Sequence, residues 1–297
     1  MRAPYRLDLT VDALRRLASN VVDVVAPDGT FYRALQDGDR VEVVTVRARD
    51  EGSIEVRATG RAAASRLTVV ARMLGTQVDL EAWYARSRRI GWLAPLAAAL
   101  RGLKPPRYPT LWEACAHAIL FQQISIHAAA SIMQRAVELL GTSVTIDAIR
   151  CVAFPPAQRW LEAPDSVLRA AGISANKIAH LRAAAAAVIG GMLDEAELAA
   201  LSTADVAERL RAIRGIGPWT ASVVLLRGLG RLDVFPLRDS GVARSLSQLA
   251  GGIQVDEASL LEQLGDVRGM LYYHLLLGRV RGLLAGRAVS APREEAS

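Results

Sequence analysis

The segment Leu210-Arg-Ala-Ile-Arg-Gly-Ile-Gly-Pro-Trp-Thr-Ala221 predicts a helix, a tight turn and a second helix. Gly215 and Gly217 stand one residue apart, and such glycines permit positive φ and let the backbone approach a ligand closely. Pro218 is a favourable first residue for the second helix, whose free N–H groups and dipole would attract an anion. A plain helix–turn–helix connection is the alternative, and the apolar residues that flank the turn favour the hairpin.

A second informative segment follows the hairpin and reads Asp233-Val-Phe-Pro-Leu-Arg-Asp-Ser-Gly-Val-Ala-Arg244. It holds two carboxylates, and a helix is predicted to start just after Asp239. Aspartate is a favoured N-cap, which offers a purely structural interpretation of Asp239. Because Ser240 can cap the same helix, Asp239 is not required for that purpose. We interpret Asp233 as a loop residue.

The remaining pattern predicts a mainly α protein with a strand-rich beginning. Residues 1–80 predict a small α+β domain with an antiparallel sheet, with strands over 5–9, 31–35, 40–47 and 53–59 and helices over 11–18 and 64–74. Residues 81–285 predict helices alone, and 286–297 predict a disordered tail. The helices are expected at about 111–121, 126–140, 165–171, 175–189, 204–212, 218–228, 240–250, 257–264 and 267–285.

The composition is that of a basic protein with enough apolar residues for sizeable cores. The 297 residues carry a formal net charge of +6, a sequence pI of about 9.8 and 52% hydrophobic residues. Such a charge favours an anionic partner, most commonly nucleic acid. Cys115 and Cys151, both in Ala-rich and helix-like surroundings, are too few for a disulfide scaffold or a four-cysteine cluster and suit a reducing cytoplasm. We expect no signal peptide and no membrane span.

Four segments, taken in order, resemble the helix-hairpin-helix DNA glycosylases, and within them the DNA-3-methyladenine glycosylase II branch. The first runs from Trp112 to the Gln-Gln-Ile-Ser turn that ends at Ser125. The second begins at Phe154-Pro155 and extends to Leu181, and the third is the hairpin. The fourth is the Asp-Val-Phe-Pro-x-x-Asp-x-Gly-Val pattern at 233–242. The resemblance implies a helix-hairpin-helix glycosylase bundle of two helical subdomains within 81–285, preceded by the small α+β domain.

The resemblance also implies a role for each matching residue. Asp239 is expected to be the catalytic carboxylate, and Gln123 to fill the gap that a flipped nucleotide leaves. The DNA-binding residues implied are Gly215, Gly217, Thr220, Gln123 and Ser125. The base pocket is expected to contain Trp219, Tyr272 and Tyr273, although one tyrosine must pack between helices, since adjacent helical residues point about 100° apart. The backbone carbonyls of Arg211, Ile213 and Ile216 match positions that ligate a monovalent cation.

These roles predict a monofunctional glycosylase that removes alkylated purines, such as 3-methyladenine and 7-methylguanine, from damaged double-stranded DNA. Trp219 stands where bifunctional relatives place a lysine nucleophile. A non-catalytic helix-hairpin-helix DNA-binding protein and a glycosylase for another lesion are the alternatives. No cofactor is expected to be required beyond a structural Na⁺ or K⁺ at the hairpin, and no iron–sulfur cluster. We expect a monomer in the cytoplasm, associated with the nucleoid if the source is bacterial, and no membrane partner.

Overall fold

A computed structural model describes residues 1–38, 40–49, 52–59 and 63–284. Its first part is a four-stranded antiparallel sheet in chain order, flanked by two helices. The strands predicted at 31–35, 40–47 and 53–59 and the helix predicted at 64–74 are confirmed to within two residues. The elements are α1 (Leu7–Arg15), β1 (Asp23–Val25), β2 (Phe31–Asp37), β3 (Arg40–Ala48), β4 (Ile54–Ala58) and α2 (Ala63–Met73).

The strand predicted at 5–9 is wrong, because a helix, α1, begins at Leu7. Leu7, Val11 and Leu14 follow helical spacing and are buried in the core that the sheet shares with the later helices. Leu9 is buried on another side of α1, in a second core. A short apolar run is compatible with either a strand or a helix. Here the segment forms a helix that is buried on two of its sides.

The second part is helical, as predicted, apart from one hairpin. Most predicted helices are found within two residues of their expected ends, and four short helices of six or seven residues were not expected, since they are too brief to show a period. The helices are α3 (Glu81–Ser87), α4 (Ala94–Ala99), α5 (Leu111–Leu120), α6 (Ile126–Leu140), α7 (Ala157–Glu162), α8 (Asp165–Ala170), α9 (Ala175–Ile189), α10 (Glu195–Ala200), α11 (Thr203–Arg211), α12 (Pro218–Val224), α13 (Ser240–Leu249), α14 (Glu257–Leu264) and α15 (Gly269–Val280).

A two-stranded hairpin interrupts these helices, so the prediction of helices alone after residue 80 is wrong. Strands β5 (Ser143–Ile146) and β6 (Ile149–Val152) are joined by Asp147 and Ala148, which both have positive φ. Positive φ at both central residues is the geometry of a type I′ turn. Such turns usually have Asn-Gly or Asp-Gly at these two positions, and Asp-Ala was therefore not recognised. Cys151 therefore lies in a strand, where it packs in a small cluster with residues of β2 and β3.

The sheet is joined to the helical part by a buried ion-pair network. Arg33 of β2 contacts Asp23 of β1 and Glu113 of α5, and all three side chains are almost fully buried. Burial raises the pKa of Glu113, and the neighbouring Arg33 opposes that shift. A charge removed from this network would leave its partners buried and unpaired, which is strongly destabilising. The proposed division of the chain at residue 80 stays a prediction.

The C-terminal tail and the expected absence of a membrane span are the two remaining predictions. The disordered tail expected over 286–297 lies outside the described residues. Among the residues from Met1 to Leu284 that are described, no helix is both long enough and apolar enough to cross a bilayer.

Candidate active site

The two glycines of the predicted hairpin between α11 and α12 have different conformations. Gly215 has a φ of +90°, and a Cβ there would lie 2.2 Å from Cγ of His180. Gly217 has an ordinary φ of −87° and caps α12, and no heavy atom beyond its chain neighbours lies within 4 Å of the place of its missing Cβ. The fold therefore requires glycine at 215, whereas the space at 217 is open to a ligand.

The second helix of the hairpin is shorter than predicted. It is α-helical only to Val224, and a π-helical turn continues from Leu225 to Leu229, where the prediction extended one helix to 228. The amide of Ile216 donates to the carbonyl of Ile213 at 3.0 Å, which closes the turn. A Na⁺ or K⁺ held by the carbonyls of Arg211, Ile213 and Ile216 stays a prediction.

Asp239 is the N-cap of α13, contrary to the expectation that Ser240 could take that place. Its Oδ1 accepts hydrogen bonds from the amides of Gly241 at 2.9 Å and Val242 at 3.0 Å. The preceding residue, Arg238, has a φ of +59°, an unfavourable conformation for a residue with a Cβ. Strain of this kind is common at functional sites, and here it accompanies the turn that presents the carboxylate.

The hairpin contacts this carboxylate directly. Nε1 of Trp219 donates to Oδ2 of Asp239 at 3.0 Å, and both side chains are half-buried. The carboxylate is thus held by two backbone amides on one oxygen and by an indole N–H on the other. Three donors thus fix the position and the plane of the carboxylate, which stays partly exposed beside the hairpin.

The Gln-Gln-Ile-Ser turn between α5 and α6 also lies against the hairpin. Gln123 is exposed at the turn and has a φ of +57°, and its gap-filling role stays a prediction. Ser125 caps α6 by accepting a hydrogen bond from the amide of Ala128 at 3.2 Å. Its predicted contact with DNA stays a prediction.

The residue that joins the turn to the hairpin is Gln122, which the sequence interpretation did not single out. Its Nε2 donates to the carbonyl of Gly215 at 2.9 Å and to Oγ1 of Thr220 at 2.7 Å. Lys177 fixes the same turn, since its Nζ donates to the carbonyls of Leu120 and Gln122. The second glutamine of the turn was the available signal, because a polar side chain that is not exposed must find hydrogen-bond partners within the fold.

The structure corrects the environment of Thr220. Its side chain is only 2% exposed, and its hydroxyl accepts a hydrogen bond from Gln122. The prediction that this hydroxyl contacts DNA is therefore wrong. A threonine one turn into α12 lies on the inner side of the helix here, because α12 packs against α5.

The two tyrosines of α15 lie inside the protein. Tyr273 is fully buried and donates to the carbonyls of Pro106 at 3.0 Å and Leu226 at 3.3 Å, so its assignment to the base pocket is wrong. Tyr272 is 5% exposed and accepts a hydrogen bond from Nη2 of Arg16 at 3.3 Å. Both hydroxyls therefore have partners within the fold, as expected for aromatic residues of a buried helix.

Comparison with known proteins places this arrangement in a family. Residues 116–266, about half of the chain, match the family described as HhH-GPD superfamily base excision DNA repair protein. That range includes the Gln-Gln turn, the hairpin and Asp239.

Two relatives and one solved structure are similar over long stretches. A DNA-3-methyladenine glycosylase of Bacillus subtilis is 30% identical over 171 residues, 58% of this chain and 56% of the relative. The chain thus spans about half the length of that relative. DNA-3-methyladenine glycosylase 2 of Escherichia coli is 29% identical over 239 residues, 78% of this chain and 80% of the relative.

The solved structure shows that the whole fold is shared. The 3-methyladenine DNA-glycosylase of Archaeoglobus fulgidus superimposes with a TM-score of 0.79 at 24% identity, over 94% of this chain and 96% of that one. Sequence and fold agree, and the chain belongs to the HhH-GPD superfamily of base excision DNA repair proteins.

Proposed function

We propose that the protein is a monofunctional DNA glycosylase that removes alkylated purines from double-stranded DNA. The observation that carries this proposal is the carboxylate of Asp239, held by two amides and by Trp219 beside the hairpin. A DNA-binding protein without catalysis would need Asp239 only as the N-cap of α13, a role that an uncharged Asn fills equally well without repelling phosphates. The names of the Bacillus subtilis and Escherichia coli relatives support the same activity.

The site offers a simple mechanism for cleaving the bond between base and sugar. The enzyme first takes the damaged nucleotide out of the stack, which costs a few kcal/mol and least for damaged pairs. The hairpin amides near Gly217 hold a phosphate, and Gln123 occupies the vacated space. As the N-glycosidic bond breaks, positive charge develops on the sugar, and the carboxylate of Asp239 stabilises that charge and orients the attacking water.

The proposed substrates are purines whose alkylation makes them good leaving groups. An N3- or N7-alkylated purine is positively charged in DNA and leaves as a neutral base, so no strong general acid is needed. This agrees with a site built on one carboxylate. We propose 3-methyladenine and 7-methylguanine as the preferred bases, with a glycosylase for another lesion as the alternative.

The reaction is proposed to stop after the base is released. The sequence has only two lysines, Lys104 and Lys177. Nζ of Lys104 donates to the carbonyl of Val78 at 2.7 Å, and Lys177 is held by the Gln-Gln turn. Because neither amine touches Asp239 or Trp219, an imine with the sugar is not expected, and the product is an intact strand with an abasic site.

Three further proposals complete the assignment. We propose that the protein acts as a monomer, on damaged duplex DNA, in the cytoplasm, and in association with the nucleoid if the source is bacterial. We also propose that the only ion it uses is a structural Na⁺ or K⁺ at the hairpin. Melting temperatures in KCl and in choline chloride at equal ionic strength test the ion, since a bound cation stabilises the native state by mass action.

The experiment that tests the function is base release from duplexes that each carry one lesion. Single-turnover rates are measured for 3-methyladenine, 7-methylguanine, hypoxanthine and uracil in one sequence context, with Asp239→Asn as the inactive control. Faster release of the two charged bases is the expected result. Faster release of hypoxanthine or uracil contradicts the alkylpurine assignment, and no release of any base by the wild-type protein contradicts the glycosylase.

A further inference from the structure

An arginine that the sequence interpretation did not consider lies near the carboxylate of Asp239. Arg279 is half-buried near the end of α15 and is directed at the first turn of α13. A Cβ at Gly241 would lie 2.9 Å from Nη1 of Arg279 and 3.2 Å from Oδ1 of Asp239, so these two atoms are at most about 6 Å apart. The missing side chain at 241 is what leaves room for the guanidinium.

This guanidinium is unpaired within the part of the chain that the structure describes. No hydrogen bond or ion pair is found for Arg279 there, although most other half-buried arginines have a carboxylate partner. Arg281, two residues further along the chain, donates to Asp8 and Asp12. Arg72 is likewise paired with Glu195, and Arg182 with Asp165.

An unpaired cation at this place works against the proposed chemistry unless an anion joins it. Asp239 is proposed to stabilise positive charge on the sugar. A bare guanidinium within about 6 Å of the Asp239 carboxylate would oppose that charge. DNA itself supplies a suitable anion, because each sugar carries a phosphodiester on either side. A guanidinium binds phosphate by strong charge-assisted hydrogen bonds.

We propose that Arg279 binds a phosphodiester next to the flipped nucleotide and so positions its sugar against Asp239. This inference rests on the proposed glycosylase function. It assigns a second phosphate contact, separate from the backbone amides of the hairpin and made by a side chain of the last helix. Together the two contacts would hold the strand on both sides of the reacting sugar.

The inference is tested by binding, so that it does not depend on excision. Affinities are measured by fluorescence anisotropy for a duplex with one tetrahydrofuran abasic analogue, at several KCl concentrations. The proteins are wild type, Arg279→Gln, Arg279→Lys and, as a control at the C-cap of the same helix, Arg281→Gln. We expect Arg279→Gln to bind about tenfold more weakly, with a salt slope reduced by about one. Arg279→Lys should recover part of the loss, and Arg281→Gln should match wild type.

A chemical change in the DNA separates a phosphate contact from a structural role. Neutral methylphosphonates replace, one at a time, the phosphates on either side of the tetrahydrofuran. At one position the replacement should weaken wild type about tenfold and leave Arg279→Gln unchanged. Equal losses for both proteins at every position overturn the inference, as does an unchanged affinity of Arg279→Gln.

The remaining outcomes distinguish the inference from the proposed function. One such outcome is that Arg279→Gln binds the duplex as tightly as wild type and yet changes the release rates of charged and neutral bases in opposite directions. That result would place the guanidinium against the base and overturn the phosphate contact. A wild-type protein that releases no base but shows the methylphosphonate effect overturns the proposed function alone. A wild-type protein that does not bind the duplex overturns both.

Discussion

The indole N–H of Trp219 donates to Oδ2 of Asp239 at 3.0 Å, which joins the hairpin to the N-terminus of α13. The other oxygen of the carboxylate is held by the backbone of its own helix, so the two segments share one side chain. The hairpin that is proposed to hold the DNA strand therefore also fixes the carboxylate that is proposed to act on it. A displacement of the hairpin would move the carboxylate as well.

Replacing Asp239 by Asn should abolish most excision while leaving the fold intact. The amide oxygen can still cap α13, but the charge that stabilises the developing cation is lost, so the single-turnover rate should fall by about 10³-fold or more. Thermal unfolding and binding to the tetrahydrofuran duplex serve as controls and should change little. An excision rate within tenfold of wild type would remove Asp239 from the catalytic role.

Two substitutions of Trp219 separate its hydrogen bond from its ring. Trp219→Phe keeps an aromatic face and removes the N–H donor, so all bases should be released about tenfold more slowly. Trp219→Ala also removes the ring, and a cationic base loses a cation–π attraction of about 0.5–2 kcal/mol that a neutral base lacks. The ratio of 3-methyladenine to hypoxanthine release should fall for Ala and stay constant for Phe. A constant ratio in both variants would show that the ring does not stack on the base.

The hairpin glycines should respond differently to substitution. Gly215→Ala places a Cβ against His180 in a backbone with positive φ, so it should lower the free energy of unfolding by at least about 1 kcal/mol. Gly217→Val places its Cβ in open space on an extended backbone, so it should lower the melting temperature much less than Gly215→Ala does.

The same Gly217→Val variant should bind all duplexes more weakly, damaged or not, because the valine blocks the approach of a phosphate to the backbone. Melting temperatures and affinities for damaged and undamaged duplexes of one sequence check both expectations. A loss of affinity confined to the damaged duplex would mean that the hairpin is not the general phosphate contact.

The paired glutamines allow a matched comparison of an inner and an outer side chain. Gln122→Ala removes two hydrogen bonds to the hairpin, so we expect it to lower the free energy of unfolding by about 1–3 kcal/mol and to slow excision. Gln123→Ala removes an exposed side chain and should slow excision without changing stability. Denaturant unfolding and single-turnover excision are the measurements. Equal stability of the two variants would contradict the structural role of Gln122.

The product of the reaction should be a strand that is abasic but uncut. Borohydride added during turnover should trap no covalent complex between protein and DNA, because both lysines are held by backbone carbonyls away from Asp239. Denaturing gels, run before and after alkali treatment, distinguish an abasic strand from a cleaved one. A trapped complex at Lys104 or Lys177 would show a lyase activity and contradict the proposed mechanism.

Short-range signals predicted much of the fold and the centre of the site. Glycine, proline and capping residues act within a few positions of the chain, so the hairpin turn, the start of α12 and the helix after Asp239 were found where expected. The long helices showed a clear period, whereas the first turn of α1 and the β5–β6 hairpin were missed, and the helix predicted over 11–18 is found at 7–15. The short apolar run at α1 and the Asp-Ala turn after β5 carry weak local signals.

By itself the sequence determined that Gly215 and Gly217 lie in a turn between two helices and that Asp239 directly precedes a third, because each feature depends on backbone conformation nearby. Only the tertiary structure decided which neighbours these residues have. It buried Tyr273, turned Gln122 towards Thr220 at a separation of 98 residues, and placed Arg279 beside Gly241. Such contacts depend on how helices distant in the chain pack together, and no local pattern contains that information.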